Sequence, residues 1–345
     1  MKPKNLLTIV VQKTSQQMTR RFRTTILLLV FFLSTAISHP ASVQAVGYGL
    51  SLYPPLLRVN IKPGKTITQV FKIDNLLSDD KFFVARLVPF NDADLFGNPT
   101  INLKSTAPWL SYFSLANSNI KLGEPFLIKG GSSEQLILSL AVPENAPVKD
   151  LYATLLVSTY ANINGISYQG SLVSATIGSN LLITVASEAF PPTIMRIQDL
   201  APRAGLVVKI GNYYFADNIT PLSFTANAFN SGNFTAETKG LFKVSKRSGE
   251  PVYLEGILPV NVISKTKRAL LSNLGQPFSF NPTLSVFGPH RITVSIKTEN
   301  ANAENSLTII FVPFKISLGL LVALLVLGTI IKLNSSTTHS KNEQF

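Results

Sequence analysis

The chain of 345 residues contains no cysteine, so it forms no disulfide, offers no thiolate to a metal and runs no thiol chemistry. Its stability has to come from packing and hydrogen bonding alone. Histidine is nearly as scarce. Of the three present, His39 lies near the start and His339 near the end, which leaves His290 as the one imidazole of the central region. Acid–base chemistry near neutral pH therefore has almost no ordinary carrier. No HExxH, no GxSxG and no glycine-rich phosphate loop occurs, and the chain is read as non-enzymatic, with no cofactor and no metal. Sustained 3.6-residue periodicity is also missing outside two apolar runs, which excludes a helical bundle.

Positive charge is plentiful but unevenly spread. The net charge is +13, and residues 1–23 hold six bases with no acid. The central segment 24–314 has 22 bases against 17 acids, a net of +5 over nearly three hundred residues. On average that is too dilute for a phosphate-tracking patch, so no nucleic acid is expected as a partner.

The basic leader is followed by the apolar run ILLLVFFL at 26–33, a break at Ser38-His39-Pro40 and the small-residue pattern Val43-Gln44-Ala45. That order predicts a signal peptide over 1–45. At the other end, 309–333 contains the unbroken run ISLGLLVALLVLGTII, long enough at 1.5 Å per residue to cross a hydrocarbon core of roughly 30 Å. It predicts a single-pass membrane anchor. The expected arrangement is an extracellular body, a helix at 309–333 and a cytoplasmic tail at 334–345, with lysines beside the inner end.

Between these runs the pattern has period two. Leu57, Val59 and Ile61 alternate with Leu56, Arg58 and Asn60, and Lys62-Pro63-Gly64-Lys65 supplies a turn. Further alternating stretches follow at 66–74, 81–88 and 134–142, where Leu136, Leu138 and Leu140 share a face. The segments 151–160 and 166–177 flank Asn162-Ile163-Asn164-Gly165 as a hairpin. Trp109, the only tryptophan, is expected in the core between two sheets. Asp92 and Asp94 beside Gly97 and Asn98 read as a turn, since no glutamate closes a calcium loop at the expected distance. Pro191-Pro192 marks a stiff boundary, and a second strand series follows at 205–214, 223–230, 240–246, 252–258 and 290–298. The fold class is therefore all-β: two tandem immunoglobulin-like β-sandwiches, 46–190 and 191–308, plus one C-terminal transmembrane helix.

The stretches LRVNIKPGKTITQVFKIDN (57–75), PWLSYF around Trp109 and SSEQLILSLAVPENAPVKDLYATLLV (132–157) resemble membrane-anchored surface proteins that partner WxL-type cell-wall proteins. More distantly the first sandwich is similar to the first domain of pilus-assembly chaperones. The first resemblance implies a surface module that binds a cell-wall polymer or another surface protein. Val148-Lys149-Asp150 departs from the glycine-rich features expected there. The second resemblance implies an assembly factor that completes client strands at an exposed edge and anchors a client's terminal carboxylate with an arginine and a lysine. Arg58 matches the arginine by context and is the one candidate binding residue; between Lys149 and Lys209 there is no lysine to match the other.

Overall fold

The computed structural model describes residues 49–160 and 175–339. The expected signal segment and the turn at 162–165 lie outside the described residues.

Alternation makes the first sandwich. Its strands are Leu50–Tyr53 (β1), Leu56–Ile61 (β2), Thr66–Asn75 (β3), Lys81–Pro89 (β4), Phe113–Leu115 (β5), Pro125–Ile128 (β6), Ser133–Ala141 (β7), Lys149–Thr159 (β8) and Thr176–Val185 (β9). They form two sheets, β1-β3-β7-β5 and β2-β9-β8-β4-β6. In β3 the residues Phe71 and Ile73 face inward, and in β7 Leu136, Leu138 and Leu140 do the same. They meet Phe83, Leu155, Val157, Leu181 and Ile183 of the second sheet. β8 and the second half of β9 are buried on both faces, which is why they read as continuous apolar runs. Trp109 does not lie between the sheets. It sits half-buried on the short 3-10 turn Pro108–Tyr112, edge-on to Phe113 at 6.3 Å, closing one end of this core.

The second sandwich comprises Met195–Ala204 (β10), Val207–Ile210 (β11), Tyr213–Asp217 (β12), Leu222–Asn230 (β13), Ala236–Lys246 (β14), Pro251–Val262 (β15), Lys267–Ala269 (β16), Phe278–Phe280 (β17), Gly288–Lys297 (β18) and Asn302–Val312 (β19). One sheet has the order β11-β12-β19-β18-β14-β15; in the other, β13 pairs with β10, β16 and β17. Phenylalanines fill the space between them. Phe242 stacks on Phe278 at 4.8 Å and tilts against Phe224 at 5.4 Å, and all three are fully buried. Each such ring contributes about 1.5–3 kcal/mol of burial, which is how a chain without disulfides holds a sandwich together.

The stretch 309–333 requires a correction. Its first four residues, Ile309 to Val312, end β19, where they pair with β12; Ile309 and Phe311 are fully buried. The helix, Phe314–His339 (α1), starts only after Pro313 and runs into a polar end. Among the described residues no helix is long and apolar enough to cross a membrane. The single-pass anchor is therefore not supported, nor is the cell-membrane location with an extracellular body and cytoplasmic C-terminus that followed from it. The physical reason is that IIFV has the composition of a buried strand as much as of a helix start, and hydropathy alone does not separate the two. α1 is rooted in the second sandwich instead: the Lys315 N–H donates to Asp217 Oδ1 at 3.2 Å, a capping bond supplied from the end of β12.

In the first sandwich Asp74 joins three strands. It accepts hydrogen bonds from Ser51 of β1 and Ser133 of β7, both at 2.6 Å, and pairs with Lys72 at 2.7 Å. The Lys72 ammonium first, then the two hydroxyls, lower its carboxyl pKa to about 2. A depressed carboxyl stabilises the fold above its ordinary pKa near 4 and loses that contribution as pH falls toward 2. Asp74→Asn should lower the melting temperature at pH 7, and its deficit against the parent protein should shrink between pH 4 and pH 2. A deficit that stays constant through that window would show that the charge plays no part.

Candidate functional site

The second residue of β8, Asp150, is an acid, and that acid organises the seam between the two sandwiches. Asp150 Oδ1 accepts from the Thr184 hydroxyl of β9 at 2.7 Å. Its Oδ2 accepts from the Tyr152 hydroxyl, the Thr235 N–H and the Thr235 hydroxyl, the last at 2.8 Å. The Ser264 N–H donates to the Tyr152 oxygen at 3.1 Å. Thr235 and Ser264 belong to the second sandwich, so one carboxylate is shared by both. Around it, Tyr152 stacks on Phe90 at 5.6 Å and packs with Leu182 and Ile263. Burial first, then the Asp150 carboxylate, push the Tyr152 phenol well above its ordinary range.

Three further contacts cross the seam. Arg58, on β2, lies 2.9 Å from Glu237 and 3.7 Å from Glu299. The Ala269 N–H of β16 donates to the Leu95 carbonyl at 2.7 Å, which docks the turn at 92–99 on the second sandwich. In that turn Asp94 accepts the N–H groups of Phe96 at 2.8 Å and Asn98 at 2.9 Å, and Gly97 has φ +77°. The positive φ favours glycine there, and the Arg268 guanidinium lies in the space a Cβ at Gly97 would take. The linker is held too: Asn300 donates to Phe190 O at 2.8 Å and Pro191 O at 3.2 Å.

An incomplete sheet edge lies at the other end of β9 from this seam, where Thr176 stands opposite Ser158 and Gly178 opposite Leu156. β9 pairs with β8 along Thr176–Ser158 to Lys149–Val185, but with β2 only from Asn180 to Val185, in parallel register. Among the described residues no strand pairs with the other side of Thr176, Ile177 and Gly178. The Asn180 N–H donates to the Pro55 carbonyl at 3.0 Å, so by alternation the backbone groups of Gly178 and Thr176 face the same, unshared side. Ile177 still packs on the first core, whereas Thr176 and Gly178 are exposed.

The structure therefore places the one sequence-derived candidate, Arg58, at the seam and away from this edge, opposite Leu182, with its guanidinium already serving two carboxylates. It adds Asp150, Tyr152 and Thr235, none of which had been singled out as functional. Their only local signal is an acid at the head of an apolar strand, since the partners that explain it lie 85 positions away in Thr235. Among the described residues no group of three metal-ligating side chains comes together.

No family model and no curated protein matches the chain. Among solved structures, the class 5 fimbriae chaperone CfaA is 11% identical, covering 76% of this chain and 99% of its own, with a TM-score of 0.34. The Escherichia coli chaperone DraB is 12% identical, covering 76% and 95%, with a TM-score of 0.34. A PapD-like domain of human CEP192 is 11% identical, covering 44% and 96%, with a TM-score of 0.29. None of these three is of the WxL-partner type suggested by the sequence. At such TM-scores the fold rests on the chain's own strand pairing rather than on these likenesses.

Removing a shared, part-buried acceptor leaves several donors unsatisfied, so Asp150→Ala should destabilise the protein by about 2 kcal/mol in denaturant unfolding. A raised phenol pKa stabilises the fold below the unfolded value near 10 and is lost as pH climbs past it. Tyr152→Phe should therefore flatten the loss of stability between pH 10 and 12, read from melting temperature against pH. An unchanged alkaline limb would place Tyr152 outside the buried network.

Proposed function

We propose that the chain is a non-catalytic binding module that takes an extended segment of another protein as an added strand along the first part of β9. The unshared edge at Thr176 to Gly178 is the observation that carries this reading. Free edges are usually blunted by proline or by charge, and this one has neither. The neighbouring edge does: β2 is preceded by Pro54 and Pro55 and carries Arg58. An incoming strand would gain backbone hydrogen bonds from β9 whatever its sequence, while alternate side chains would select it. The seam supports this role by holding β8 and β9 together through Asp150 and Thr184. Arg58 is not needed as a carboxylate anchor, because Glu237 and Glu299 already neutralise it. The class of function proposed is thus the strand-completing one rather than adhesion to a wall polymer.

Peptides with alternating apolar residues, selected against the whole chain, should slow hydrogen exchange at the Gly178 N–H. Thr176→Pro removes an edge-facing donor while leaving the pairing with β8, since its N–H points away from that strand. It should weaken the selected peptides by about tenfold or more, equal to roughly 1.4 kcal/mol, with little change in melting temperature. Peptides that protect other strands, or that bind Thr176→Pro as well as the parent, would refute strand addition at β9.

A further inference from the structure

The modest charge of the central segment is dilute only on average. On the six-stranded sheet of the second sandwich, one face packs on the phenylalanine core and the other is open. Strand register lays out that open face as a grid. Lys239 is directly opposite Lys297, Lys243 is opposite Thr293, and Ser245 is opposite Arg291; on the next strand Thr308 is opposite Arg291 and Ser306 opposite Thr293. Lys243 and Arg291 are diagonal neighbours, roughly 7–8 Å apart. Like charges placed directly across a ladder are destabilising, so Lys239 and Lys297 carry a cost that nothing in the fold requires.

Nor do these cations find acidic partners among the described residues. Among the described residues Lys239, Lys243, Arg247, Arg291 and Lys297 form no ion pair, whereas Lys246 beside them is taken by Glu250 at 2.8 Å. The face is hollowed into a groove of about 460 Å³, with Lys243, Arg247 and Arg291 among its walls and Glu304 as the acid that lines it. A second hollow, which shares Glu304 with the first, is lined by Ser295 and Lys297. Arg291 and Lys297 are six strand steps apart, a span of about 20 Å. That length is too great for one small anion and suits a chain of them.

We propose that this face binds a linear phosphate-bearing polymer. Phosphate is favoured over carboxylate because the donors are mostly lysines and single hydroxyls, which are point donors suited to tetrahedral oxyanions. Paired carboxylate oxygens are best met by arginine forks, and of the five cations three, Lys239, Lys243 and Lys297, are lysines. The sheet offers Tyr213 at its margin but no row of aromatics, so bases would have nothing to stack on. This proposal lies on a different sandwich from the β9 edge and does not depend on it.

The probe is short-chain inorganic polyphosphate, titrated calorimetrically against the whole chain at several salt concentrations. Saturable binding is expected, with log K falling by about 3 per decade of salt for four neutralised phosphates. The double variant Lys243→Glu/Arg291→Glu should weaken it at least about thirtyfold. Lys62→Glu/Lys65→Glu, an equal charge change on the first sandwich, should leave it within about twofold, both variants melting like the parent. Equal losses in both variants, equal affinity for polyglutamate, or absence of saturable binding would overturn the proposal. Tighter binding of single-stranded DNA than of polyphosphate with the same number of phosphates would also overturn it, assigning the face to nucleic acid instead.

Discussion

One part-buried carboxylate, that of Asp150, ties the two sandwiches of the described structure together. Both of its oxygens are filled, one from β9 and the other from β8 and the second sandwich. In a chain without cysteine this does the joining that a covalent bridge would otherwise do, with a different physical character. A hydrogen-bonded carboxylate is stable only while every partner stays in place, because each lost donor leaves charge in a poorly solvated setting. The seam is therefore cooperative. Tyr152 shows the same coupling: its hydroxyl gives to Asp150 and receives from Ser264, so its ring, stacked on Phe90, is oriented from both sides.

Both proposed surfaces draw on this order. The unshared edge of β9 is useful only if β9 itself does not shift register, and Thr184, inside the half paired with β2 and six residues past Gly178, ties it to Asp150. The cationic face is a rigid strand grid rather than a loop, so its charges keep their spacing when a ligand arrives. A flexible site would have to order itself first, at the expense of affinity.

What could be read from the sequence was what alternation encodes. Phe71 and Ile73 on β3 and the three leucines of β7 point inward as their period requires, and most strands of the second sandwich fall where turn residues predict them. The misreadings share one cause, which is dependence on distant partners. β10 was missed because its pattern breaks at a bulge near Asp199, whose φ is +56°, and it carries Pro202. β19 was taken for the start of a membrane helix because its neighbours β12 and β18 are invisible in a hydropathy profile. Trp109 was placed between the sheets by its size alone, while the 3-10 turn that bears it puts it at one end. Asp150 looked like a departure from a motif, and the lysines of β14 and β18 vanished into an average. In each case the residue type was legible and the company it keeps was not.

The junction of β19 and α1 has a mechanical consequence. One residue, Pro313, separates the last strand from the helix, and the Asp217 cap fixes the first helical turn to the end of β12. β19 lies between β12 and β18 in the sheet, antiparallel to β18 from Asn302 to Phe311 and parallel to β12 over its last four residues, Ile309 to Val312. Tension applied through α1 would therefore pull β19 along its own axis. The bonds on both of its sides would be loaded in shear, all at once, instead of being peeled one after another from a frayed end. A load entering by this route meets the strongest direction a sheet possesses, and it reaches the phenylalanine core before it reaches the seam.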